Sequence, residues 1–144
     1  MNAEQYYRDA ASHTLAGFQL IEESLKSYIG YYHEMVRRLL PAEVAYRYSR
    51  ADVQNAALGK LVNIFGKINP NEMLICQLRA HIKVRDELAH TAFLHLYGEL
   101  PPQQELKSRA SSFIQVSKNL GELLGNLNEE SNVIVKMNLK HKSF

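Results

Sequence analysis

The chain has 144 residues, 46% of them hydrophobic and 22% charged, with a formal net charge of +2. Those values suit one soluble globular domain with a substantial core, and the slight positive charge permits an anionic partner without announcing one. Cys76 is the only cysteine, which excludes an intrachain disulfide and a thiolate metal cluster. Its apolar helical surroundings predict an inert core residue. The start, Met1-Asn2-Ala3-Glu4-Gln5, lacks a basic and then apolar signal region, and no apolar run approaches membrane-spanning length. The expectation is a soluble cytoplasmic protein without membrane partners.

Four helical blocks follow in chain order. The first runs from about Glu4 to Leu40, with Phe18, Ile21, Leu25, Tyr28, Tyr32, Met35, Val36 and Leu39 on one face. Gly17 and Gly30 weaken that pattern. Pro41 ends it, because proline cannot continue a helix smoothly. Asp52 is placed to cap a second helix through Ile68, with Val53, Ala57, Leu61, Ile64, Phe65 and Ile68 inward. Asn69-Pro70-Asn71 is a turn and cap signal, and a third helix follows to about Leu96. Gly98 and Pro101-Pro102 separate it from a fourth, from Gln103 to Asn128, on Leu106, Ala110, Phe113, Ser117, Leu120, Leu124 and Leu127. Val133-Ile134-Val135 fits a short strand or a last helical turn equally well. The basic end, with Lys136, Lys140, His141 and Lys142, is expected to be mobile.

The predicted fold is all-α: an up-and-down four-helix bundle over residues 1–128, with a short C-terminal extension at 129–144. Neither an internal repeat nor a low-complexity tract is visible.

One position breaks the third helix's pattern. Leu78, Ile82, Arg85, Ala89 and Phe93 recur at helical spacing, so Arg85 interrupts an otherwise apolar stripe. A guanidinium kept there needs a partner or a use. Five positions on lies His90. Eight arginines and six histidines give only about 0.3 chance pairs at that spacing, yet Arg8 and His13 form a second one. Context separates them: Arg8 sits in the first turns, whereas Arg85 sits deep in a strongly periodic helix.

The stretch Lys83-Val84-Arg85-Asp86-Glu87-Leu88-Ala89-His90 resembles the Arg-x4-His signature of the HEPN superfamily of small helical proteins, many of them ribonucleases. The run Ala57 to Val62, followed by Ile64-Phe65, is similar to the second helix of several HEPN groups. The resemblance implies a HEPN-like bundle and a homodimer in which two copies of Arg85 and His90 share one cleft. It also implies a metal-independent endoribonuclease, acting as a toxin or phage-defence effector and needing no cofactor. An antitoxin or another regulatory protein is a further implied partner. In toxins paired with small nucleotidyltransferase antitoxins the motif commonly extends to His-x-Tyr. Here the corresponding residue is Ala92, so regulation through that tyrosine is not expected.

The residue chemistry suits such a cleft. An imidazole can take a proton from a ribose 2′-hydroxyl or return one to a leaving oxygen. A guanidinium can bind a phosphate through two parallel hydrogen bonds. Asp86 and Glu87 are candidate supporting carboxylates, Asp86 by orienting the imidazole or the arginine. Glu87-Leu88-Ala89-His90 also spells Glu-x-x-His, but di-metal bundles need that pattern on two helices, so no metal site is expected. His81 and His95 share the helix with His90 but form no i, i+4 zinc pair with it; they read as ordinary helix residues, with lining the same cleft as the alternative. Arg37, Arg38, Arg47 and Arg50 form the most basic local region and are candidate RNA contacts. Tyr28 and Tyr32 fit the first helix's apolar face better than an RNA-stacking role.

Two other readings remain open. One is a non-catalytic HEPN-like module that binds a protein or nucleic acid. The other is a plain helical interaction module whose Arg85 forms a structural ion pair with a first-helix glutamate, Glu22 or Glu23.

Overall fold

The computed structural model describes residues 2–98 and 100–142, with side chains left undescribed at positions 92, 93, 96, 97, 141 and 142. Among the described residues there are four α-helices and no strand: α1 (Ala3–Leu39), α2 (Leu58–Ile68), α3 (Glu72–Tyr97) and α4 (Gln103–Lys142). A 3-10 turn occupies Arg50–Val53. No helix among them is long and apolar enough to cross a membrane.

Local chemistry sets the boundaries. Asn2 caps α1, its side chain accepting from the Gln5 amide at 2.7 Å. At the other end Leu40 is extended, as the residue before Pro41 must be, and its amide closes the last turn onto Val36. Gly17 and Gly30 do not break the helix. A Cβ at Gly17 would lie 3.1 Å from Leu120 Cδ1, so the missing side chain lets α1 and α4 approach closely. Asp52 does not cap the second helix: it lies inside the 3-10 turn, whose N-cap is Ser49, and its side chain accepts from the Ser49 amide while the Ser49 hydroxyl accepts from the Ala51 amide. The second helix therefore starts later than expected, at Leu58. Ala57 is its exposed N-cap, and Leu58 and Val62 join Leu61 and Phe65 inside.

The topology corrects the up-and-down expectation. Thr14 meets Phe113, Ser24 meets Asn128 and Asn138 meets Tyr31, so α1 and α4 run parallel. Tyr7 meets His95 and Phe18 meets His81, so α3 runs against α1. Gly59 lies against Ile82 and Gly66 against Ile75, so α2 runs against α3 and parallel to α1. The alternation fails at the crossover 40–57, which is long enough to return down the side of α1 before α2 begins. Short loops enforce antiparallel neighbours; this connection is not short.

The main core joins Phe18, Ile21, Leu25, Tyr28 and Ile29 of α1 to Leu61, Phe65, Leu74, Ile75, Leu78 and Leu88, closed by Leu120, Leu123, Leu127 and Ile134 of α4. Burial of this apolar surface supplies the main stabilising force. Ile134 is 5% exposed, and the segment expected as a mobile extension instead prolongs α4 as far as Lys142. Asn138 holds it there, its side-chain amide donating to the Tyr31 carbonyl while its backbone carbonyl accepts from Arg38. Residues 143 and 144 lie outside the described part. Cys76 is exposed rather than internal, because α3 turns its Leu74, Ile75 and Leu78 side inward.

Candidate functional site

Helix α3 carries the motif and is anchored at its start by a buried polar network. Asn71 caps it, accepting from the Leu74 amide, while the Asn71 side-chain amide donates to Glu130 at 2.9 Å. Asn69, 6% exposed, donates to the Tyr28 hydroxyl and to the other Glu130 oxygen. Burial is the chief reason the Tyr28 phenol is pushed above its ordinary pKa, with its bond to Asn69 acting in the opposite direction.

From that anchor Arg85 points toward α1. Its Nε lies 3.5 Å from Glu22 Oε1 and its NH1 lies 3.6 Å from Asp86 Oδ1. The Arg85 side chain is 33% exposed and the Glu22 side chain 15%. These are ion-pair contacts at the limit of hydrogen-bond reach, so the guanidinium retains donor capacity. Glu22 is one of the two glutamates named as natural structural partners for Arg85. His90 is exposed and has no hydrogen bond or ion pair among the described residues. Five helical steps place it about 140° around α3 and about 7.5 Å along it from Arg85. One chain alone therefore does not bring the two side chains together. Asp86 and Glu87 are exposed on the same helix. Glu87 lines a shallow groove with Thr91 and, across on α4, Arg109 and Ser112. Phe93, expected on the stripe of Arg85, lies outside the described side chains. Among the described residues no three His, Cys, Asp or Glu side chains are grouped to hold a metal.

The basic region is mostly engaged. Arg37 donates to the Tyr46 and Tyr48 carbonyls, fastening the crossover to α1. Arg38 pairs with Glu34 and reaches the Asn138 carbonyl. Arg50 donates to Ser27 and to Glu23. Arg47 is exposed and makes no such bond among the described residues. Three of the four candidate RNA contacts thus have polar partners within the chain, and Arg47 has none among the described residues.

Two constellations were not legible beforehand. On the crossover, His33 Nδ1 meets the Tyr46 hydroxyl at 2.7 Å and its ring stacks on Tyr48 at 5.8 Å between centroids. Burial, above all, holds His33 below the ordinary histidine pKa; Asp52 pulls it up and Arg37 pushes it down. At the far end of α3, the Tyr7 hydroxyl meets His95 Nδ1 at 2.5 Å beside a small pocket. Tyr7 is buried, which is the main cause of its raised pKa. The partners in that contact are 88 positions apart, so no local spacing signals it.

No family model matches the chain, and no curated protein or solved structure shows significant similarity to it.

Proposed function

We propose that the chain is a metal-independent endoribonuclease of the HEPN type, acting as a toxin or phage-defence effector. Arg85 and His90 would work in a composite cleft formed by two copies of α3. The observation that carries this reading is the pairing, on one well-anchored helix, of an exposed imidazole without a hydrogen bond or ion pair among the described residues and an arginine whose donors are only loosely occupied. The separation of the two groups around α3 means that a second copy must complete the site. In such a cleft the imidazole moves the proton of the 2′-hydroxyl and the guanidinium steadies charge growing on the phosphate. Asp86, in ionic contact with Arg85, is a positioning group, and an antitoxin or other regulatory protein is a natural partner for the accessible face.

The ion pair of Arg85 with Glu22 inside one protomer favours a second reading, a non-catalytic helical module that binds a protein or nucleic acid. Purified protein incubated with total RNA and transfer RNA in excess chelator separates the two. The first reading expects cleavage that leaves 2′,3′-cyclic phosphate ends, lost in His90→Ala and retained in His13→Ala. Full activity in His90→Ala, or equal loss in both variants, would remove the site assignment. Intact RNA across the panel with wild-type protein would overturn the ribonuclease reading and favour the binding module.

A further inference from the structure

Beyond the ribonuclease reading and independent of it, we propose that the pocket between the start of α1 and the end of α3 binds a small apolar carboxylate. Tyr7, Arg8, Ala11, Ser12 and Leu15 of α1 line it, with His95 of α3 and Leu100 closing it. Its volume is about 170 Å³. An apolar cavity of roughly 150 Å³ accommodates benzene, so a six-membered ring or a short alkyl chain fits this space.

Four of the lining residues, Tyr7, Arg8, Ser12 and His95, carry a hydrogen-bond donor. Tyr7 is 2% exposed and needs a hydrogen-bond partner for its hydroxyl. Burial keeps that hydroxyl protonated, so we assign it as donor to His95 Nδ1, which leaves the imidazole proton on Nε2. Nε2 has no hydrogen bond to any described residue. Arg8 adds a permanent guanidinium and Ser12 a hydroxyl at the same pocket. Ala11, Leu15 and Leu100 supply the apolar wall. Such a wall rewards an apolar body, and donor-bearing residues at its edge reward an anionic or strongly accepting end. A carboxylate meets both demands and matches the fork of a guanidinium. Arg8 currently pairs with Glu4 at 2.8 Å, both side chains nearly half exposed. A surface pair of that kind is weak, so a ligand carboxylate can share or displace it.

Benzoate is the probe, titrated into the full-length protein to roughly 10 mM, where a millimolar site is close to saturation. The imidazole and guanidinium NMR signals are followed. Saturable shifts of the His95 and Arg8 signals are expected, with His13, on the same helix, unmoved. Arg8→Gln, a surface change that keeps the fold, is expected to weaken binding about tenfold or more. Benzyl alcohol, with the same ring and no charge, is expected to bind at least about tenfold more weakly as well. The proposal is overturned by the absence of a saturable shift, by benzyl alcohol binding as tightly as benzoate, or by unchanged affinity in Arg8→Gln.

Discussion

Truncating Arg85 would strand the Glu22 carboxylate, which is mostly buried, so a structural role for the arginine is expected beside any other. The pair lies between exposed ion pairs, worth about 0.2–1 kcal/mol, and buried ones, whose breaking costs about 3–5 kcal/mol. Arg85→Ala is therefore expected to destabilise the fold by about 1–2 kcal/mol. Arg85→Ala combined with Glu22→Gln should lose less than the two single changes added together. Urea melts of the four proteins give the coupling. Additive losses would show that the contact carries no energy of its own.

His33 makes a pH prediction at the same scale. Its folded-state pKa lies below the unfolded value, chiefly through burial. Between those two values the unfolded chain binds the extra proton, so stability rises with pH. The contribution is complete above the ordinary histidine range and lost as pH falls through the depressed value. Melting temperature should thus decline on acidification below about pH 6.5, and less steeply in His33→Gln. Parallel slopes for the two proteins would assign the decline to other groups.

Among elements, the parallel contact of α1 with α4 is the one the fold depends on most. Thr14 is fully buried and its hydroxyl sits within hydrogen-bond reach of the Ala10 and Phe113 carbonyls, bridging the two helices. One turn on, Gly17 faces Leu120 at a distance that leaves no room for a branched side chain. Gly17→Val should force the helices apart and destabilise by about 1–3 kcal/mol, read as a lowered melting temperature. The upper half of α4 belongs to the same contact. Ending the chain at Asn128 would remove Glu130, Ile134 and Asn138 together. Loss of one buried isoleucine side chain alone costs about 2–5 kcal/mol, so the shortened chain should melt well below the full one. An unchanged melt would show that 129–142 contributes nothing to folding.

At the scale of the whole molecule, the proposed composite site would require two copies. Light scattering at micromolar concentration should give twice the chain mass. A strictly monomeric protein that still cleaves RNA would rule out the shared cleft.

Much of this molecule is local in origin. Phe18, Ile21, Leu25 and Tyr28 repeat every three or four residues, and that period has one efficient solution, a helix with one buried face. Pro41, the Asn69-Pro70-Asn71 turn and Pro101-Pro102 act on their own neighbours, so the divisions between helices were legible too. That Arg85, set in an apolar stripe, would need a partner was equally legible, and Glu22 supplies one. Other features depended on how distant segments meet. The direction of α2 follows from the path of the crossover 40–57, which has no period to read. Cys76 is exposed because α3 buries only one side at that level, and no flanking residue states which side. The extension of α4 to Lys142 rests on Ile134 and Asn138 finding α1, just as the pairing of Arg85 with Glu22 and of Tyr7 with His95 rests on α3 lying against α1. Helical period is written into neighbouring residues, whereas the partner of a side chain is decided by packing of the whole chain, and sequence distance carries almost no information about it.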